Sequence, residues 1–139
     1  MSAAVVVDTG PLVAIVDRDD AHHQTCVDWF ARHTGRVIVP APVIVEVCWL
    51  LGRRVNPTAE AAFLAGLQGG DPHIEALVPA DYERTAELVQ TYADLDLGFV
   101  DASVITVAAR LHIDTVATIN HRDFRVVRPR HLGAFVLVP

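Results

Sequence analysis

The sequence predicts an α/β domain with a mainly parallel central sheet. Two observations indicate this class: short apolar runs rich in Val and Ile recur along the chain, and segments of helical length separate them. Strands that alternate with helices are typical of right-handed crossovers in a parallel sheet covered on both faces. The 139 residues fit one domain and contain no repeat or linker, so we expect a single domain over residues 1–139.

The first half of the chain is expected to hold two strands and four helices. Residues 3–7 form a continuous apolar run, which is typical of a strand buried on both faces. Pro11 suits the first turn of the helix that follows. The other expected elements are helices at 22–33, 42–51 and 58–67, the last capped by Thr58, and a strand at 37–39 closed by Pro40.

The second half is expected to alternate three strands with two helices. Residues 69–72 contain two glycines and a proline and therefore indicate a loop. Asp81 is expected to cap a helix that runs to about residue 93, and the chain breaks at residues 97–98. The remaining expected elements are a helix at 101–111 and strands at 74–78, 115–119 and 135–138.

The composition restricts the possible functions. All eleven basic residues are Arg, and the absence of Lys excludes a P-loop and lysine Schiff-base chemistry. No apolar run approaches the roughly 20 residues that a bilayer span needs, and residues 1–5 lack the basic start of a signal peptide. Two cysteines cannot build a disulfide framework. We therefore expect a cytoplasmic protein without a membrane segment.

Residues 121–131 form a basic strip in a chain whose net charge is −6. The strip has four arginines and one aspartate, so its local charge is positive while the rest of the chain is acidic. Such a strip is a candidate binding surface for nucleic-acid phosphates. A surface that serves solubility or a dimer contact is the alternative. The four arginines are Arg122, Arg125, Arg128 and Arg130.

Three carboxylates stand in apolar settings without a basic neighbour. Asp8 follows the first strand, and ligand-binding groups gather beyond the carboxyl ends of parallel strands. Glu46 interrupts an apolar helix, and neither it nor Asp101 has a basic residue three or four positions away. The alternatives are helix capping for Asp8, a helix-dipole contact for Asp101 and a distant arginine for Glu46. Because unpaired buried carboxylates are costly, we expect the three to share a cation.

The carboxylate ligands indicate which cation and which chemistry. Hard oxygen ligands favour Mg²⁺, with Mn²⁺ as a substitute, over zinc. Such a site can activate a water for in-line attack on a phosphodiester and stabilise the leaving oxygen. A DNA nuclease or a phosphatase would use the same site, so both stay open. A phosphoacceptor receiver domain is disfavoured, because it needs an acidic pair after the first strand and a Lys.

Four motifs, in order along the chain, resemble those of PIN-domain nucleases. They lie at residues 5–14, 43–47, 97–103 and 116–124. Their order and spacing, and the chain length, resemble the VapC-like toxins of bacterial toxin–antitoxin pairs. The resemblance implies a three-layer α/β/α fold, Mg²⁺- or Mn²⁺-dependent endoribonuclease activity, homodimerisation, and inhibition by a small cognate antitoxin that covers the acidic groove.

The resemblance also implies site residues. Asp8, Glu46 and Asp101 match the three central acids and are the expected catalytic metal ligands. In the fourth motif, similar proteins often carry Asp where this chain has Asn120, whose amide oxygen can ligate a metal but brings no charge. Asp123 is the other candidate for the fourth position, unless it pairs with Arg122 or Arg125.

The residues beside the acids leave two alternatives open. Thr9 and Ser103 are expected to support the carboxylates or a metal-bound water, or else to serve only as helix-start hydroxyls. For the whole chain, the alternative to a nuclease is an RNA- or protein-binding module of the same fold with weakened catalysis. Asn120 is the one feature that favours this alternative.

Overall fold

The computed structural model describes residues 4–131 and 133–139, and a five-stranded sheet lies at its centre. The strands are β1 (Val5–Val7), β2 (Val37–Pro40), β3 (His73–Glu75), β4 (Thr115–Ala117) and β5 (Val136–Val138). Every neighbouring pair is parallel, and the order across the sheet is β3-β2-β1-β4-β5. The predicted parallel sheet is therefore confirmed.

Helices connect the strands and cover both faces of the sheet. Within the described residues they are α1 (Thr9–Val16), α2 (His23–Arg32), α3 (Ala41–Arg54), α4 (Pro57–Gly66), α5 (Pro79–Thr91), α6 (Phe99–Arg110) and α7 (His121–Val126). Two short 3₁₀ turns lie at Leu67–Gly69 and Ala93–Leu95. This arrangement is the three-layer α/β/α architecture that the sequence predicts. None of the described helices has the length and apolar character needed to cross a lipid bilayer.

The strand order creates a switch point beside β1. The chain first adds β2 and β3 on one side of β1, and then places β4 and β5 on the other side. Val6 of β1 accordingly pairs with Ile38 on one flank and with Val116 on the other. In sheets of this kind, the crevice beyond the carboxyl ends of the strands at the switch point is the usual ligand site.

Burial in the core explains why β1 has no polar residue and why the middle of α6 is mostly apolar. The three valines of β1 are fully buried because helices cover both faces of a parallel sheet. In α6 every residue from Ala102 to Ala108 is buried, as expected for a helix enclosed on all sides. The carboxyl end of β1 and the amino end of α6 are consequently fixed by packing.

Several predicted bounds are wrong. Helix α1 begins at Thr9, two residues before Pro11, and Ala3 of the first predicted strand lies outside the described residues. Helix α3 continues through Gly52, where we expected it to end. A Cβ at Gly52 would lie 2.8 Å from the Glu60 carboxylate, so this glycine lies inside the helix and leaves room for the Glu60 side chain of α4.

Two predicted caps are also wrong. Asn56, and not Thr58, caps α4, because its side chain accepts a hydrogen bond from the Ala59 N–H at 2.8 Å. Helix α5 begins two residues before Asp81, whose carboxylate accepts the Val78 N–H at 2.9 Å from within the first turn. The other predicted elements are present with small shifts of their ends, and α7 is a helix that we did not predict.

Candidate active site

The three predicted acids line one cleft at the switch point of the sheet. Asp8, Glu46 and Asp101 face an open space of about 270 Å³ beside the carboxyl ends of β1 and β4. Asp8 directly follows β1, Glu46 lies in α3, and Asp101 lies in the first turn of α6. The fold thus brings together residues that are far apart in sequence, while their catalytic role stays a prediction.

Asp8 is the most buried of these acids. It is 7% exposed, and its Oδ2 accepts a hydrogen bond from the Thr118 hydroxyl at 2.9 Å. Its side chain makes no capping hydrogen bond to α1, so the capping alternative does not explain it. Burial raises its pKa to about 7, and the charges of Asp101 and Glu46 add to this effect, whereas hydrogen bonds from the Thr9 backbone N–H and the Thr118 hydroxyl oppose it.

Asp101 and Glu46 lie closer to the solvent. Burial raises the pKa of Asp101, and the charges of Glu46 and Asp123 raise it further, against a hydrogen bond from the Gly98 backbone. Glu46 is half-buried. Its helix is less enclosed than its sequence indicates, because Val45 is 72% exposed. Glu46 therefore lies on the border between the core and the cleft.

Asn120 and Asp123, the two candidates for the fourth position, are bound to each other. The Asn120 Oδ1 accepts the Asp123 N–H at 3.3 Å and caps α7, while its Nδ2 donates to the Asp123 Oδ2 at 2.9 Å. Arg122 Nε contacts the other oxygen of Asp123 at 3.4 Å, which is the pairing that we named as the alternative. Asn120 lines the cleft, and the charge of Asp123 raises the pKa of Asp101.

The hydroxyls of Thr9 and Ser103, which we expected to support the acids, differ in their hydrogen bonds. The Ser103 hydroxyl donates to the Val100 carbonyl at 2.6 Å within α6, so it serves its own helix, as its alternative stated. The Thr9 hydroxyl is buried, Thr9 lines the cleft beside Asp8, and this hydroxyl has no hydrogen-bond partner among residues 4–131 and 133–139. An unsatisfied buried hydroxyl in a cleft of carboxylates indicates a further group that this site binds.

Thr118 and Arg54 are site residues that the sequence analysis missed. Thr118 is fully buried directly after β4, donates to Asp8 and accepts the Asn120 N–H at 3.0 Å. It therefore fixes the orientation of Asp8 from the neighbouring strand. Its signal in the sequence is a hydroxyl at the carboxyl end of a buried strand. Arg54 lines the cleft and lies 3.8 Å from Asp20.

The chemistry of the cleft fits a hard divalent cation. Within the described ranges, none of the three acids forms an ion pair with an arginine, so each keeps free lone pairs. No three His, Cys, Asp or Glu side chains in this part of the chain lie close enough together to be a ready-made metal cluster. Mg²⁺ does not require one, because it keeps several waters and uses few direct carboxylates.

The predicted basic strip is a short helix and the segment after it. The Arg128 guanidinium donates to the carbonyls of Arg125, Val126 and Val127, and the Arg130 guanidinium contacts Glu87 at 2.9 Å. None of the four arginines lines the acidic cleft. Arg122, whose side chain is 90% exposed, and Arg125, which is also exposed, present their side chains to solvent beside the site.

Together, the parallel sheet, its switch point and the acidic cleft define an α/β domain of the nuclease type that the four motifs resemble. The chain belongs to the PIN domain family, whose family model matches residues 5–128.

Known proteins similar to this chain include two from Mycobacterium tuberculosis. Ribonuclease VapC26 is 29% identical over 135 residues, which span 97% of this chain and 100% of that protein. The crystal structure of VapC20, described as a toxin that cleaves the sarcin-ricin loop, superposes with a TM-score of 0.76 at 25% identity, over 81% of this chain and 86% of that one.

A more distant structure shows the fold alone. VapBC2 from Rickettsia felis, solved with a DNA fragment of its promoter, matches with a TM-score of 0.66 at 12% identity and covers 96% of both chains.

Proposed function

We propose that this protein is a VapC-type toxin that hydrolyses RNA phosphodiester bonds with a Mg²⁺ or Mn²⁺ ion held by Asp8, Glu46 and Asp101. The observation that carries the proposal is that the three acids line one cleft at the switch point and that, among the described residues, none of them forms an ion pair with an arginine. The similarity to Ribonuclease VapC26 and to VapC20, a toxin that cleaves the sarcin-ricin loop, supports RNA as the substrate and a toxin as the role.

The chain's own residues prepare the cleft for a cation. Asp8 is held by Thr118, and burial together with its acidic neighbours raises its pKa to about 7, so without a cation this carboxyl is only partly ionised near neutral pH. A bound cation replaces that proton, which makes cation binding stronger as the pH rises. The ion itself supplies a water of lowered pKa and charge stabilisation at the phosphate.

The same carboxylates control access by RNA. Without a cation, the negative field of the cleft repels a polyanion, so we expect cleavage to depend strictly on the metal. Arg122 and Arg125 lie on α7 beside the cleft and are our candidates for contacts with the RNA backbone. Arg128 is a weaker candidate, because its guanidinium already donates to three carbonyls.

We assign the fourth acidic position to Asp123, because its contact with Arg122 is 3.4 Å long and is made by a side chain that is 90% exposed, so this pairing holds the carboxylate only weakly. The Asn120 amide donates to Asp123, and its oxygen is engaged at the start of α7, so Asn120 positions the acid instead of replacing it. The influence of Asp123 on the pKa of Asp101 supports this assignment. With Asp123 in this role, Asn120 no longer favours a weakened, purely binding module.

The remaining parts of the proposal follow from the resemblance to VapC-like toxins. They are a cytoplasmic location, a homodimer, and a small cognate antitoxin that covers the acidic cleft and prevents growth arrest. A small reading frame for a DNA-binding protein beside this gene would support the antitoxin. Co-purification of the two proteins as a stable complex is the direct measurement.

Cleavage by matched variants tests the function. Purified protein is incubated with total RNA, or with single-stranded DNA, in the presence of Mg²⁺ or of EDTA. We expect RNA cleavage with Mg²⁺ alone, and a loss on the order of 10²–10³-fold in the Asp101→Asn variant, which keeps the shape of the side chain but removes its charge. Asp94→Asn is the control, because Asp94 is exposed and does not line the cleft.

Three results would contradict parts of the proposal. Equal cleavage by Asp101→Asn and by the unaltered protein would exclude the acidic cleft as the active site. Cleavage in EDTA would exclude the metal. Binding of RNA without any cleavage by the unaltered protein would favour the alternative, a binding module of the same fold.

A further inference from the structure

The two tryptophans of this protein differ in what covers their rings. Trp29 is half-buried, and its ring packs against Phe30 and His33 of its own helix at centroid distances of 5.0 and 4.7 Å. Trp49 lies in α3 and is 58% exposed. The Arg53 guanidinium lies over its ring, 4.4 Å from the centroid. Single exposed apolar residues are ordinary on protein surfaces, so the surroundings of Trp49 decide whether it has a function.

Trp49 and Arg53 lie at the edge of the acidic cleft. They follow Glu46, a proposed metal ligand, by three and seven residues, so helical spacing places all three along one stripe of α3. Residues three positions apart on a helix have their Cβ atoms about 5–6 Å apart, so Trp49 neighbours Glu46. The residues that directly follow the pair, Leu50 and Arg54, line the cleft itself. We call Trp49 and Arg53 the α3 rim of the cleft.

The charge of Arg53 is available to a ligand. Among the described residues, Arg53 forms no ion pair with a carboxylate. The dipole of α3 favours cations in its last turn, which accounts for the presence of Arg53 and Arg54. It does not account for the position of one guanidinium over an exposed indole. The α3 rim therefore combines an open aromatic surface with an uncompensated positive charge.

Arginines stand beside two walls of the cleft. One wall is α3, and another is the segment at residues 119–120, which leads into α7 with Arg122 and Arg125. Because the acids of the cleft repel a polyanion, affinity for RNA has to come from these edges. A strand that runs between the two walls meets the α3 rim and α7.

An exposed aromatic ring beside an arginine suits a nucleotide. Bases of single-stranded RNA stack on aromatic side chains and on guanidinium planes, and arginines also contact the backbone phosphates. Stacking tolerates every base, because each has a π-face, so it holds a strand without reading its sequence. A protein partner is the rival occupant, because Val45 on the same helix is 72% exposed. The uncompensated charge of Arg53 and its position beside the cleft favour RNA.

We propose that the α3 rim binds a nucleotide that flanks the scissile phosphate, with the base stacked on Trp49 and a backbone phosphate on Arg53. This assignment rests on the proposed nuclease function, because it names how the same cleft holds its RNA. It adds a binding subsite that contains no acid and no metal ligand. Trp49 and Arg53 therefore act on the affinity for RNA and not on the chemistry of cleavage.

The fluorescence of Trp49 tests the stacking without any change to the α3 rim. In the full-length Trp29→Phe, Asp101→Asn protein, Trp49 is the only tryptophan, and cleavage is slow enough to leave the RNA intact. We expect a short single-stranded RNA, titrated in the presence of Mg²⁺, to quench the Trp49 emission until the site is saturated. The same RNA with abasic residues keeps the phosphates but cannot stack, so it should bind more weakly and quench little. Trp29→Phe alone should cleave RNA like the unaltered protein, because Trp29 does not line the cleft.

Kinetics of variants at the α3 rim separate binding from chemistry. Trp49→Ala removes the stacking surface but no metal ligand, so the KM for RNA should rise about tenfold while kcat changes little. Trp49→Phe should retain most of the affinity. Arg53→Gln should reduce the slope of log affinity against log salt by about 0.7, the value for one phosphate contact on a single strand. Val45→Ala, at a more exposed position of the same helix, is the matched control and should leave KM unchanged.

Several outcomes would overturn the subsite. RNA binding that leaves the Trp49 emission unchanged, or equal quenching by the abasic RNA, would exclude stacking. An unchanged KM in Trp49→Ala, together with loss of antitoxin binding in both Trp49→Ala and Val45→Ala, would identify the α3 rim as a protein-binding surface instead. Failure of the nuclease function has a different signature: the unaltered protein would bind RNA and quench Trp49 but would not cleave, which leaves the subsite in place.

Discussion

Two aspartates of this protein are almost equally buried but have opposite surroundings. Asp8 is 7% exposed and Asp81 is 4% exposed. Asp81 binds the Arg110 guanidinium at 3.1 Å and the Val78 N–H at 2.9 Å, which ties α6 to the start of α5. Asp8 has two other acids nearby and, within the part of the chain that the structure describes, one side-chain hydrogen bond, which comes from Thr118.

The comparison shows that burial alone does not distinguish a structural acid from a functional one. The charge of Asp81 is compensated within the fold, so the protein needs nothing further at that position. The charge of Asp8 is opposed by its neighbours, as the raised pKa records, so this position gains stability when something positive binds. Asp81 pairs with an arginine and Asp8 does not pair with one among the described residues, and this difference distinguishes the functional acid from the structural one.

The largest expected effect is a pH-dependent loss of stability caused by Asp8. Its pKa rises from 3.8 to about 7 on folding, so between these values the folded protein holds a proton that the unfolded chain releases. The free energy of unfolding therefore falls as the pH increases through this window, by about 4 kcal/mol in total at 1.36 kcal/mol per unit. Urea unfolding in EDTA at pH 4.5 and pH 8 measures about three quarters of this change, because the unfolded chain has already lost most of this proton at pH 4.5.

Asp8→Asn is the matched variant for this measurement. It keeps an acceptor for the Thr118 hydroxyl but does not titrate, so its stability relative to the unaltered protein should increase with pH. Added Mg²⁺ should reduce the difference by stabilising only the unaltered protein. Parallel pH curves for the two proteins in EDTA would show that the surroundings of Asp8 do not oppose its charge.

The second prediction concerns Asp81, whose charge is compensated by Arg110. Arg110→Met keeps most of the packing but leaves Asp81 buried without its base, so we expect a loss of about 3 kcal/mol in the free energy of unfolding. Arg122→Gln is the control, because this exposed arginine pairs with Asp123 at the surface and should contribute less than about 1 kcal/mol. Similar losses in both variants would contradict the distinction between the two acids.

The smallest effect is expected for Thr118→Val, which preserves the shape of the side chain but removes the hydrogen bond to Asp8. Since this bond lowers the pKa of Asp8, its loss should raise that pKa further and shift Mg²⁺-dependent cleavage to higher pH. The rate near neutral pH should fall about tenfold, as for other residues that orient metal ligands. A lower rate with an unchanged pH profile would mean that Thr118 is only structural.

The features that could be predicted from the sequence are those that leave a local pattern in it. The β-branched runs identified the strands, and the lack of nearby bases identified Asp8, Glu46 and Asp101. Thr118 was missed because its contact with Asp8 spans 110 positions and leaves no local pattern.

The same limit explains the wrong helix end at Gly52 and the missed helix α7. Gly52 indicated a helix end, although it lies within α3 and faces the Glu60 side chain of the neighbouring helix. The six residues of α7 are too short for a periodic signal, and this helix depends on its Asn120 cap and on the buried side chain of Phe124. Contacts between distant elements decide each of these cases.

Gly10 lines the acidic cleft and affects its shape, but it contributes no charge. A Cβ at this position would lie 3.0 Å from the Ile119 side chain, so glycine allows the segments that follow β1 and β4 to approach each other. A larger residue would displace the Ile119 side chain on the opposite wall without changing a charge, whereas substitution of an acid changes the charge of the cleft. The width of the opening and the affinity for cations can therefore be adjusted separately by engineering.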